Sequence, residues 1–500
     1  MSDSTQKLRL GALIALVVGS MVGGGIFSLP QNIAASASAG ATLIGWLITG
    51  VGMLTLAFVF QTLANRKPDL NGGVYAYAKA GFGDYMGFSS AWGYWISAWI
   101  GNVSYMVLLF STLGYFFPVF GEGNTLPAII CASIVLWLLH FLVLRGIREA
   151  AFINTITTIA KMLPLALFIV IAAVAFKMDV FTSDFWGSGN SELGSVMDQV
   201  RNMMLVTVWV FIGIEGASIF SARAEKRSDV GKATVIGFIG VLLLLVLVNI
   251  LSQGILAQAE LAGLKNPSMA AVLEQVLAPW GAQLISFGLV HLAGGGGGFG
   301  GHYWCAEILF ASASDHTMPE FLRKENANQV PANALWLSNG LIQLFLIITL
   351  FSESTYLSLL YLATSMILVP YFWSSAYAVL LALRGETYEN AAGERNKDLL
   401  IALISTLYAV WLVYAAGVQY LLLSALLYAP GAILFAKAKA GVGPTGFPGV
   451  RKSFFFRRIF RAGHCALRPV MRFSGVGKRP APDLPGPVSR EGSLTCPGKP

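Results

Sequence analysis

Gly11-Ala-Leu-Ile-Ala-Leu-Val-Val-Gly19-Ser20-Met21-Val22-Gly23-Gly24-Gly25-Ile26-Phe27-Ser28-Leu29-Pro30 is an apolar run long enough to cross a bilayer, and it breaks itself in the middle. A helix in lipid keeps every backbone group hydrogen-bonded, because no water is there to replace a lost partner. Three adjacent glycines cost roughly 1 kcal/mol each against alanine. They leave amides and carbonyls free at membrane depth, which is tolerated only where the backbone is buried in protein or lines a polar cavity. Many secondary transporters build their substrate site from discontinuous helices of this kind. Close packing through small residues is the competing explanation. Spaced small residues would suffice for packing, and three in a row do not share one helix face.

The rest of the chain places this segment in a membrane. Of its 500 residues, 56% are hydrophobic and 12% are charged. Apolar runs near 20 residues match a hydrocarbon layer of about 30 Å. About twelve spans are read, at 9–30, 41–64, 84–118, 125–144, 150–176, 198–221, 233–257, 278–312, 333–351, 355–383, 398–416 and 418–436. The first run is too long for a cleavable signal peptide and lacks a small-residue cleavage pattern.

The basic residues test that count. With the N-terminus in the cytoplasm, the inside loops hold Lys7, Arg9, Arg66, Lys67, Lys79, Arg145, Arg148, Arg223, Lys226, Arg227, Lys232, Arg323, Lys324, Arg384, Arg395 and Lys397. Only Lys177, Arg201 and Lys265 fall outside, as the positive-inside rule requires. The net charge of +8 therefore belongs to short loops and a basic tail, and does not call for nucleic acid. The long acidic loop 177–200 falls outside, and the even count returns the C-terminus to the inside. Cys131, Cys305, Cys465 and Cys496 show neither disulfide nor metal spacing.

Spans one to five and six to ten form two halves of opposite orientation. Each opens with an interrupted helix, the second at Phe211-Ile212-Gly213-Ile214-Glu215-Gly216-Ala217. Paired interruptions at corresponding positions point to a site at a repeat interface. Free amides there would hold a carboxylate and free carbonyls an ammonium, so an α-amino acid fits Gly23, Gly24 and Gly25.

Glu215 is an ionisable group within a span, where such groups usually face a cavity or a partner. It reads as a group for substrate charge or gating, or else as a structural carboxylate bonded to backbone. Lys161 lies too deep in the fifth span to snorkel easily. Its ammonium would either stand in for a sodium ion by donating to carbonyls of unwound backbone, or pair with a carboxylate. In the third span Tyr94, Ala98 and Asn102 recur every four residues and share a face. Asn102 suits a polar substrate group. Aromatic rings here suit a cation, although much of this aromatic density is packing. Trp209 lies near enough to Glu215 to line the same cavity. No HExxH, Walker A or GxSxG pattern occurs, so no enzyme is indicated. Gly294 to Gly298 lacks the Lys-Ser/Thr and the strand that a phosphate loop needs.

These motifs resemble the amino acid–polyamine–organocation superfamily, and most closely the bacterial arginine/ornithine antiporters of its basic amino acid/polyamine branch. The resemblance runs from about residue 7 to 437. It rests on Gly19 to Phe27, Gly72-Gly73-Val74-Tyr75-Ala76-Tyr77, Tyr94 to Asn102, Phe211 to Ala217 with Ser221-Ala-Arg-Ala-Glu225, and Thr317 to Asn326. It implies an all-α, leucine-transporter-type fold of two inverted five-helix repeats plus two further spans. It also implies exchange of external L-arginine for internal L-ornithine across the bacterial inner membrane, the membrane step of the arginine deiminase pathway.

By the same resemblance, Gly23 to Gly25 hold the substrate's α-groups, with Ile26 beside them. Tyr94, Ala98 and Asn102 line the side-chain pocket, Trp209 closes over it next to Ile212, and Glu215 matches an acidic gating residue. Lys161 matches a lysine that replaces a sodium ion. A family serine is Gly24 here, so amides must do its work. Substrate and lipid are the expected partners, with a homodimer also in view. No cofactor or metal is expected. Other cationic amino acid transport, by exchange or proton symport, and a membrane amino-acid sensor are the alternatives.

Two segments leave the family pattern. Residues 288–305 carry the five glycines, expected to make a poor transmembrane helix, where an aromatic gate belongs near Gly301. Tyr303 or Trp304 would replace that gate. Residues 438–500 form a basic Gly/Pro-rich tail, expected to be disordered. A pair of compensating frame slips would explain the first block, and one slip the tail.

Overall fold

The computed structural model describes residues 9–70, 72–145, 148–216, 224–294, 296–352, 355–389 and 391–441, but not the side chains of 148–160, 227, 287, 289–300, 355 and 440–441. The tail beyond residue 441, including Cys465 and Cys496, lies outside the described residues. One compact unit runs Met1–Val442. Helices account for nearly all of it, and no strand occurs among the described residues.

The first span is two helices, α1 (Leu10–Met21) and α2 (Gly25–Ala34), bent by 45° across the glycines. Then come α3 (Ala39–Arg66), α4 (Val74–Phe82), α5 (Asp84–Phe116), α6 (Leu126–Leu144) and α7 (Arg148–Ala175). After the short α8 (Met178–Thr182), α9 (Val196–Trp209) starts the sixth span and stops at its interruption. The second half follows with α10 (Arg227–Gln253), α11 (Gln258–Ala262), α12 (Ser268–Leu277), α13 (Pro279–Gly294), α14 (Gly296–Ser314), α15 (Ala332–Ile348), α16 (Thr355–Arg384) and α17 (Ala392–Gly441).

Seven of these helices are long and apolar enough to cross a membrane, and the bent pair makes an eighth span. The others follow from their interruptions. Helix α17 has 50 residues, which at 1.5 Å per residue would be about 75 Å if straight, more than twice the bilayer core. It is divided at Gly417, whose φ of 75° is open to glycine and strained for most other residues. Helix α9 and its interruption form the sixth span, α7 the fifth, and α13 with α14 the eighth. Described helices fall in every span read from the sequence, except that residues 217–221 of the sixth are outside the described residues. With five spans to a half, the sixth span enters the membrane from the side opposite the first.

At the five glycines, helix is found on both sides of Gly295, which lies outside the described residues. The backbone is helical up to Gly294 and again from Gly296. Glycine's cost of about 1 kcal/mol is measured against water-solvated alternatives. Each backbone group stranded in hydrocarbon costs several kcal/mol, so the helix prevails.

Span three is the centre of the bundle. In α5, 78% of the apolar window is inside the protein, against 39% in α6, α10 and α15. It packs on α16, α14 and α4. At one end of the bundle, Lys79 of α4 pairs with Asp315 at 2.8 Å, and Tyr75 donates to the same carboxylate at 3.1 Å. Partial burial alone would raise the Asp315 pKa. The Lys79 ammonium and Tyr75 hydroxyl outweigh it and hold the carboxyl below its ordinary value.

Candidate functional site

The two interruptions meet. Where α1 ends, the Gly23 amide, which a continuous helix would give to the Gly19 carbonyl, donates to Met21 O at 2.8 Å instead. The Phe27 amide turns to Gly24 O at 3.0 Å. The helical partner is thus withdrawn from the Gly19 carbonyl, and no backbone amide across the break donates to the Val22 carbonyl among the described residues. Lys161 supplies the replacement: its Nζ donates to both carbonyls, each at 2.7 Å. Lys161 is fully buried and forms no ion pair among the described residues. Of the two readings left open for it, the geometry is that of donation to unwound backbone.

In the sixth span the helix loosens at Val210. Successive turns join Phe211 to Val208, Ile214 to Phe211 and Gly216 to Gly213. Gly213 has a φ of 110°, which a side chain would strain. The Ser20 hydroxyl bridges the two breaks, lying 2.9 Å from Gly213 O and 2.8 Å from Val17 O, with one proton to share.

Around this junction the sequence-selected residues gather. Trp209 ends α9 with its indole against Gly25 and its ring edge beside Gly101 of α5. Tyr105 lies over Gly23 and Gly24 and meets the Trp209 ring at a centroid distance of 5.8 Å. From residue 87 to 110, only Ala98 and Tyr105 are not buried. They are seven residues apart, so one face of α5 borders open space. Ile212 is likewise partly exposed between buried neighbours, whereas Ile26 points into the core. The Asn102 amide donates to Cys305 Sγ at 3.7 Å and sits against Gly301. The Trp304 ring reaches Gly216, so an aromatic from α14 does stand at the break.

Glu215 is fully buried. Tyr371 of α16 donates to its Oε2 at 2.9 Å, and Tyr94 lies beside the same carboxylate. Its Oε1 has no hydrogen-bond partner among the described residues. A carboxylate this deep is retained only with compensation; two phenols and the backbone at Gly213 and Glu215 face it, but no cation does among the described residues. The arrangement suits a cation brought in from outside the protein.

Sequence reasoning missed Tyr371, Tyr105 and Ser20. Tyr371 carried a usable signal, since Pro370 precedes it within an apolar span and a phenol there needs a partner. Nothing local distinguishes Tyr105 from the other aromatics of α5.

The close approach at Gly25 gives a test. A Cβ there would lie 2.7 Å from Trp209 Nε1 and 3.0 Å from a Val210 methyl. Gly25→Ala should displace the indole and lower transport about tenfold or more, a cost of roughly 1–3 kcal/mol for overpacking. Initial uptake rates in vesicles at matched protein levels would check it, and Gly240→Ala, at a helical glycine where a Cβ meets nothing within 4 Å, controls for glycine loss alone.

Two broken helices that meet beside a buried carboxylate, with an ammonium holding the freed carbonyls, are the architecture of a membrane permease. The chain belongs to the amino acid permease family, whose model matches residues 8–442. It is 72% identical over 459 residues to the arginine/ornithine antiporter of Pseudomonas aeruginosa, covering 91% of this chain and 95% of that one. It is 48% identical over 445 residues to the L-lysine transport protein of Corynebacterium glutamicum, covering 86% and 88% of the two chains. It is 43% identical over 436 residues to the arginine/agmatine antiporter of Chlamydia abortus, covering 86% and 89%.

Proposed function

We propose that the protein exchanges external L-arginine for internal L-ornithine, one for one, across the bacterial inner membrane with both termini cytoplasmic. The observation that carries this is Glu215, buried with Oε1 unpartnered and no cation near it among the described residues. A basic side chain supplies the missing charge. The amides and carbonyls freed at Gly23, Gly24 and Gly25 take the α-carboxylate and α-ammonium. Tyr94, Ala98 and Asn102 flank the chain of the substrate, with Trp209 and Ile212 closing around it and Ile26 supporting them from the core. Lys161 does the work of a sodium ion, so no ion need travel with the substrate. The names of the relatives support the substrates. The membrane step of the arginine deiminase pathway is the role proposed for this exchange. Residues 1–437 are proposed as the transporter domain, 438–500 as a separate tail, and a homodimer as the assembly.

Charge balance supplies the test. Arginine and ornithine each carry +1, so exchange moves no net charge. One uncompensated charge would gain about 2.3 kcal/mol per 100 mV, equivalent to a gradient of about fifty-fold. Arginine uptake into ornithine-loaded vesicles should not change when a potassium diffusion potential of either sign is imposed. Uptake that follows the potential would instead indicate uniport or proton symport.

A further inference from the structure

A cavity of about 180 Å³ lies away from the helix breaks, beneath the segment that joins spans five and six. It sits where α2 ends, at Ala34, and where α10 ends, at Gln253. Val180 and Phe181 give it an apolar wall, and Asp184 gives it a carboxylate. That carboxylate accepts from Ser188 Oγ at 3.3 Å and from the Gly189 amide at 3.2 Å. No cation pairs with it among the described residues. Gln253 is 5% exposed; its Nε2 donates to Thr42 at 3.1 Å, and its Oε1 has no partner among the described residues.

The chemistry narrows the ligand. Acceptors are in surplus, so an anion is disfavoured. A metal ion would need several more oxygen ligands, and no group of three acidic, histidine or cysteine side chains gathers among the described residues. The volume corresponds to about six waters at roughly 30 Å³ each, the size of one long side chain. An aliphatic stem fits the apolar wall, a cationic head fits Asp184, and the Phe181 ring suits the face of a guanidinium.

We propose that this cavity is a second site for a basic amino acid, holding its cationic side chain and leaving the α-carboxylate and α-ammonium in solvent at the exposed rim of Ser183 and Gly189, on the side of the membrane that carries the 177–195 segment. It rests on the transport reading above for its ligand class. Under that orientation it takes substrate from outside before the central site does.

Equilibrium binding of labelled L-arginine to the full chain in detergent tests it. The wild type should show a tight class and a weaker class of sites. Asp184→Asn, which keeps an oxygen for the Gly189 amide, should remove the weaker class and leave the tight one. Asp184→Glu should retain both. Asp179→Asn, which neutralises an exposed acid outside the cavity on the same segment, should also retain both. In vesicles, Asp184→Asn should raise the half-saturation for external arginine at least threefold and leave that for internal ornithine unchanged. A single class in the wild type, a weaker class that survives Asp184→Asn, or equal loss in Asp179→Asn would overturn the site. Binding does not require exchange. A failure of arginine/ornithine exchange would therefore sink the transport reading alone, and a missing second class would sink this site alone.

Discussion

Glu215→Gln is expected to raise the half-saturation for arginine by about 150-fold or more while the protein still folds. Two arguments set that outcome. A fully buried carboxylate facing a substrate cation forms a desolvated charge pair, and removing one partner of such a pair costs about 3–5 kcal/mol. Glutamine keeps an oxygen in place for the Tyr371 hydroxyl, so the bridge between the sixth span and α16 survives. The loss should therefore appear in substrate recognition more than in stability. Citrulline, the neutral isostere of arginine, makes the reading sharper. The wild type should discriminate strongly against it, and the variant should treat the two nearly alike. Competition by citrulline against labelled arginine uptake measures this. Unchanged arginine half-saturation in the variant would remove Glu215 from the site.

Lys161→Met should be the more damaging change to the molecule itself. Met matches the length of the lysine stem but cannot donate. The carbonyls of Gly19 and Val22 then lose the donors that replace their helical partners. A buried acceptor left without a partner costs about 1–3 kcal/mol. Two of them, offset in part by no longer burying an ammonium, give roughly 2–5 kcal/mol. That is a large part of the roughly 5–15 kcal/mol by which proteins are typically stable. The variant should unfold at a distinctly lower temperature and lose exchange in sodium-free buffer. Added sodium should recover part of both, since a bound cation can take the same carbonyls. Wild-type melting and transport in Lys161→Met without sodium would show that the ammonium does not hold the break together.

Much of this was legible before the structure, for identifiable reasons. Lipid removes the alternatives that make soluble sequences ambiguous, so apolar length alone located the spans. The basic loops supplied the orientation proposed for them. The break at Gly23 to Gly25 was readable because three glycines cannot be explained by one packing face. The division of α17 at Gly417 was readable because no bilayer needs a helix of 50 residues. What stayed hidden depends on which spans touch. Lys161 was visibly an anomaly, but its partners are carbonyls 142 and 139 residues earlier in the chain. Tyr371 meets Glu215 across 156 residues, and Ser20 meets Gly213 across 193. At Gly296 to Gly298 the backbone is helical despite low propensity, because that propensity is a property of competition with water, which is absent in hydrocarbon.

The central claim is that a basic amino acid enters only as another leaves, through a site where two broken helices meet at a buried carboxylate. Counterflow in proteoliposomes measures this directly. Vesicles loaded with ornithine should take up labelled external arginine rapidly, and empty vesicles should take up almost none. Equal uptake with and without internal ornithine would contradict the account.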